Sequence, residues 1–204
     1  IEPQSCDVRR TTGTSHFVDR SVDWGLEDPT KNAWTLSSAD LNHDGYPDLL
    51  GHVPVGNVRG TPTGDKYYSV LMNEPKLGGG RHFVDRTAES GYGTTPEGSD
   101  EYRVATGAVF GDVDNDGDLD VLSLAEVGPP SESPPSPADL DRSQLLLNDG
   151  SGKLALAPEA GIATPGPEPV WSGTLVDWDL DGDLDAFVAN WLSHSLMPSY
   201  FQVG

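Results

Sequence analysis

Three nonapeptides concentrate the oxygen ligands of this chain: Asp40-Leu-Asn-His-Asp-Gly-Tyr-Pro-Asp48, Asp112-Val-Asp-Asn-Asp-Gly-Asp-Leu-Asp120 and Asp177-Trp-Asp-Leu-Asp-Gly-Asp-Leu-Asp185. Positions 1, 3 and 5 of such a loop point inward when it wraps an ion. Glycine at position 6 permits the sharp turn that brings the position-7 carbonyl and the last carboxylate around the far side. A hard cation that takes six to eight oxygens at about 2.3–2.6 Å suits this donor set, and calcium is the ion it fits. The spacing assigns Asp40, Asn42, Asp44 and Asp48 as side-chain ligands in loop one, with the Tyr46 carbonyl. Loop two takes Asp112, Asp114, Asp116 and Asp120 with the Asp118 carbonyl; loop three takes Asp177, Asp179, Asp181 and Asp185 with the Asp183 carbonyl. Three calcium sites are therefore expected. So many carboxylates within nine residues repel one another without a cation, which argues against plain solvated turns.

Position 12 separates these loops from an EF-hand, which needs a bidentate Glu there and a helix on each side. The residues at that place are Gly51, Ser123 and Val188, and short apolar runs follow. A dockerin-type loop fails on the same grounds.

Catalytic sets are missing from the sequence. It holds no Gly-x-Ser-x-Gly elbow and no phosphate-binding loop, and His16, His43, His52, His82 and His194 lack metal-ligand spacing. His16 and His82 share one repeat position, which suggests a structural place. A glycan hydrolase or lyase would need paired carboxylates, but the aspartates are already committed to the loops. A non-catalytic protein is the expected class.

The elements that must hold these loops repeat with them, at roughly seventy residues. His16-Phe-Val-Asp-Arg-Ser21 recurs as His82-Phe-Val-Asp-Arg-Thr87 and, more weakly, as Lys153-Leu-Ala-Leu-Ala-Pro158. Each copy leads to a glycine and a larger residue: Gly25-Leu26, Gly91-Tyr92 and Gly161-Ile162. An apolar run ending in Asn or its worn copy completes the set, at 69–73, 144–148 and 199–203. Before each loop lie Trp34–Ala39, Thr106–Gly111 and Trp171–Val176; after it come Leu49-Leu50, Val121–Leu124 and Ala186–Val188. These runs are too short for helices and are bounded by turn residues, so each reads as a strand. Four antiparallel strands per repeat is the unit of a β-propeller blade. The expected fold is all-β, with about three four-stranded blades over residues 16–204 and an N-terminal extension at 1–15.

Composition agrees. The 204 residues include 24 Gly and 17 Pro, poor helix formers, and enough aromatics to build a core. A net charge of −21 repels nucleic acid and anionic membrane surfaces, and no apolar run is long enough for membrane insertion. The Pro/Ser-rich stretch 128–137 and the Gly-rich stretch 56–66 read as loops between strands. Cys6 alone forms no intrachain disulfide. Trp34 and Trp171 share a repeat position and, like Trp178, are expected to pack between blades.

Gly107-Ala-Val-Phe-Gly-Asp-Val-Asp-Asn-Asp-Gly-Asp-Leu-Asp120 resembles an FG-GAP/VCBS-type repeat, as in integrin alpha-subunit propellers. The Phe-Val-Asp-Arg strand and the Leu-x-x-Asn run are similar to relatives of cartilage acidic protein. The resemblance implies structural calcium in loops between the first two strands of each blade. It also implies an extracellular, secreted or cell-surface protein, acting in adhesion or in recognition of a protein or glycan ligand. Rings of this kind usually hold about seven blades, so three imply a slice of a larger ring. Self-association through open blade edges, or service as an architectural subunit of a surface assembly, is the alternative.

Overall fold

A computed structural model describes residues 17–26, 33–52, 68–95, 105–125, 142–162 and 170–190. Cys6, the 56–66 and 128–137 loops and the 199–203 run lie outside the described residues, as do His16, Trp191 and His194.

The fold is all-β. Among the described residues there are ten strands, β1 Thr35–Ala39, β2 Asp48–His52, β3 Tyr68–Pro75, β4 Arg81–Asp85, β5 Gly107–Gly111, β6 Asp120–Leu124, β7 Gln144–Asn148, β8 Leu154–Leu156, β9 Val170–Val176 and β10 Asp185–Asn190, with one 3₁₀ turn at Pro158–Ala160. They form four-stranded sheets in the orders β1-β2-β3-β4 and β5-β6-β7-β8 and a pair β9-β10, all antiparallel. Neighbours in sequence are neighbours in the sheet, as in a propeller blade. The third sheet shows its two leading strands, because its remaining expected strand falls outside the described residues.

Each acidic loop joins the first two strands of a sheet in one fixed register. The residue before the first aspartate pairs with the last aspartate: Ala39 with Asp48, Gly111 with Asp120, and Val176 with Asp185. Sheets stack through their leading strands. Thr35 Oγ1 donates to the Thr106 carbonyl at 2.5 Å, and the Ala108 N–H donates to Ser37 Oγ at 3.1 Å. Thr106 Oγ1 in turn reaches the Val170 carbonyl at 2.9 Å. Between the first two sheets Leu41, Leu50, Val70, Tyr92, Val121 and Leu146 are buried; between the second and third the core is Leu122, Leu124 and Val170. Each such side chain removed from water contributes about 1.5–3 kcal/mol. A polar seam crosses the first interface, where Tyr92 OH lies 2.8 Å from His52 Nε2 and 2.6 Å from Ser123 Oγ.

The glycines that precede larger residues are left-handed turns. Gly25, Gly91 and Gly161 have φ of 75°, 74° and 68°. A Cβ on Gly91 would strike the Leu154 carbonyl, so only glycine lets the chain turn there and drive Tyr92 into the core.

Two expectations are corrected. The first Phe-Val-Asp-Arg copy, residues 17–20, is not a strand, and Phe17 is exposed. Its counterpart β4 pairs with β3, whereas residues 17–20 have no third strand beside them among the described residues. The second correction is that the repeated tryptophans are not buried between blades but keep much of their surface exposed. Trp34 is 65% and Trp171 49% exposed, while Thr106 takes the equivalent place in the second repeat and is buried. Trp178, 74% exposed, meets Phe187 edge-on, with centroids 5.9 Å apart.

Candidate metal centre

The three loops share one hydrogen-bonded skeleton. In loop one Asp40 accepts the N–H groups of Asp44 at 3.1 Å and Gly45 at 2.8 Å. In loop two Asp112 accepts those of Asp116 and Gly117, each at 3.1 Å. In loop three Asp177 Oδ2 accepts the Gly182 N–H at 3.2 Å. The third residue accepts the N–H of the fifth: Asn42 from Asp44, Asp114 from Asp116, and Asp179 from Asp181, at 3.2–3.3 Å. Glycine at position 6 has φ of 85°, 98° and 99° in Gly45, Gly117 and Gly182. This skeleton turns the carboxylates toward one point.

Two triplets result. Carboxylate oxygens of Asp112, Asp114 and Asp116 lie within 4.8 Å of one another, and so do those of Asp177, Asp179 and Asp181. Both offer only oxygen, the donor type of a hard cation. Asp177 Oδ1 is buried and has no hydrogen-bond partner, an arrangement that a bound cation satisfies. Loop one brings Asp40, Asn42 and Asp44 together on the same skeleton with one amide in place of an acid.

The last aspartate is a clamp on the sheet. Asp48 and Asp120 are fully buried. Asp48 accepts the N–H groups of Leu41 at 2.9 Å and Asn73 at 2.7 Å; Asp120 accepts those of Val113 and Asn148, each at 2.9 Å. Burial pushes both carboxyls above the usual aspartate range, their N–H donors pull them back, and the nearby loop aspartates add to the rise. Asp185 makes the corresponding bond to the Trp178 N–H at 2.9 Å. Asn148 ties loops together, donating to the Leu41 carbonyl at 2.8 Å and the Leu119 carbonyl at 3.1 Å.

Sequence reasoning assigned no role to position 4 or to the side chain at position 7. His43, Asn115 and Leu180 all occupy position 4 in left-handed conformation, with φ of 54°, 60° and 63°. Their side-chain types differ, so no residue pattern marks the feature; the alignment of the loops alone could have drawn attention to it. At position 7, Tyr46 lies under the Arg81 guanidinium, 3.8 Å from its ring centroid.

Residues 32–68, which include all of loop one, match the family model of the FG-GAP repeat. The chain thus contains an FG-GAP-type repeat, a unit associated with propellers. Comparison with curated proteins finds no match.

Proposed function

We propose that the chain is a non-catalytic, calcium-stabilised propeller module that recognises a protein or glycan outside the cell. The observation that carries the reading is the convergence of two all-oxygen triplets on a repeated skeleton, with Asp177 Oδ1 buried and unpartnered. Calcium supplies positive charge there and nothing else; the chain's residues fold the loops and lock the strands on either side.

FG-GAP repeats occur in extracellular and surface proteins, which supports a secreted or surface location. Open surface loops of this kind belong with extracellular modules, whose calcium affinities are about 10⁻⁴–10⁻³ M, and cytosolic calcium would leave them empty. Exposed Trp34, Trp171 and Trp178 offer flat apolar surface suited to stacking on sugar rings or to protein contact.

A polar cleft lies beside loop one. It is lined by Asn42, Glu74, Arg86, Ser90, Ser151 and Lys153 among others. Ser90 Oγ donates to the Thr87 carbonyl, Ser151 Oγ donates to Asp149, and Arg86 is paired with Glu74. The trailing face of the third sheet supports a further blade or a second copy as partner. Leu50 and Leu122 are fully buried, while Phe187 at the same repeat position is 46% exposed.

Calcium-loaded protein applied to arrays of glycans and extracellular proteins tests the reading. Saturable binding, lost with chelator and with Trp171→Ala or Trp178→Ala, is the expected result. A ligand cleaved or chemically altered over many turnovers would contradict it.

A further inference from the structure

Beyond its amide at Asn42, loop one departs from its two repeats at one carboxylate oxygen. In every loop Oδ1 of the fifth residue accepts the N–H of the seventh: Asp44 from Tyr46 at 3.0 Å, Asp116 from Asp118 at 2.9 Å, and Asp181 from Asp183 at 3.0 Å. That leaves Oδ2 to face a cation. In loop one Oδ2 is held instead by Arg81 Nη2.

The guanidinium is fixed from several sides. Arg81 opens β4; its Nε donates to Asn73 Oδ1 at 3.0 Å, its Nη2 also donates to the Asn73 carbonyl, and its plane covers the Tyr46 ring. Asn73 is the residue whose N–H clamps Asp48, so Arg81 is built into the same lock that closes the loop. In the second sheet the matching amide oxygen, Asn148 Oδ1, takes the Gly152 N–H at 3.1 Å. Among the described residues no Arg or Lys pairs with Asp116 or Asp181.

We propose that Arg81 is the resident cation of loop one, so that loops two and three bind calcium and loop one does not. A divalent ion in loop one would share Asp44 Oδ2 with a positive group that cannot lose its proton, and two cations on one oxygen repel. The loop also has less charge to offer, since Asn42 stands where loops two and three carry Asp114 and Asp179. Expelling Arg81 would cost its bonds to Asn73 and its stacking on Tyr46. Loop one is thereby a calcium loop in outline, neutralised from within.

The inference rests on the calcium reading of loops two and three. Its test is the number of calcium ions bound per chain at millimolar calcium, by equilibrium dialysis and calorimetry on the full chain. Two ions are expected for the unaltered protein and for Asp44→Asn, and one each for Asp116→Asn and Asp181→Asn. Arg81→Gln, which keeps a hydrogen-bonding side chain but removes the charge, should admit a third ion. Three ions in the unaltered protein falling to two in Asp44→Asn would overturn the inference and leave the calcium reading standing. A folded Arg81→Gln that still binds two would overturn the role given to Arg81. No bound calcium at all would overturn both readings together.

Discussion

His43 Nδ1 lies 3.1 Å from Asp118 Oδ1, so the fourth residue of loop one touches the seventh of loop two. The pattern recurs one sheet on, where Asn115 Nδ2 donates to Asp183 Oδ1 at 3.4 Å. The left-handed backbone at position 4 swings its side chain sideways, out of its own loop and onto the next. Adjacent loops are therefore joined along the rim as well as through the core.

Leu180 occupies that left-handed position without benefit. It is 85% exposed, and a non-glycine side chain at φ of 63° carries about 1–2 kcal/mol of strain that Asn bears more easily. Leu180→Asn should stabilise the protein by about 1 kcal/mol, raising the melting midpoint by about 2–4 °C. Asn115→Val, which puts a β-branched residue at the same conformation and removes the contact to Asp183, should lower it. Thermal unfolding of the two variants checks both directions.

Asp120 and Asp185 hold the same place in their loops but different numbers of bonds. Both oxygens of Asp120 accept a backbone N–H in a fully buried setting, so an amide there must turn its NH₂ toward a donor. Asp120→Asn should cost about 2–3 kcal/mol in denaturant unfolding with chelator present, where loss of a ligand does not count. Asp185 accepts one N–H among the described residues, from Trp178, and an amide can keep it. Asp185→Asn should cost under about 1 kcal/mol in the same assay.

The Glu74–Arg86 pair sets an acid-side dependence. Arg86 Nε and Nη2 donate to the Glu74 carboxylate at 2.7 and 3.0 Å and hold its carboxyl below the usual glutamate range. A carboxyl depressed on folding adds stability above its unfolded value, near 4.5, and loses it as pH falls through the folded value. Both side chains are partly solvated, so the effect is modest. The stability gap between the unaltered protein and Glu74→Gln should be full at neutral pH and close progressively below about 4.5. Chelator-treated samples unfolded across that range measure it; a gap that widens on acidification would contradict the assignment.

The strands flanking the loops were legible because short apolar runs bounded by acidic turns have few other uses. The skeleton of the loops was legible for a related reason: Gly45, Gly117 and Gly182 mark the turn in each. What could not be read was whatever depends on neighbours distant in sequence. Arg81 lies 37 residues from Asp44 and meets it only because β4 pairs with β3 beside the loop. The repeat of Trp34 and Trp171 suggested packing, yet the buried member of that set is Thr106. Residues 17–19 repeat the Phe-Val-Asp of β4 but form no strand, since a strand also needs a partner.

Thermal unfolding with and without a calcium chelator tests the central claim, that acidic loops two and three are metal sites on which the fold depends. Binding to the folded loops alone adds about 2.7 kcal/mol per occupied site at a hundredfold excess over Kd. For two occupied sites that is a fall of about 10–20 °C in midpoint on chelation, restored by added calcium. An unchanged midpoint, with no calcium found by elemental analysis of the untreated protein, would show the loops to be acidic turns and the claim to be wrong.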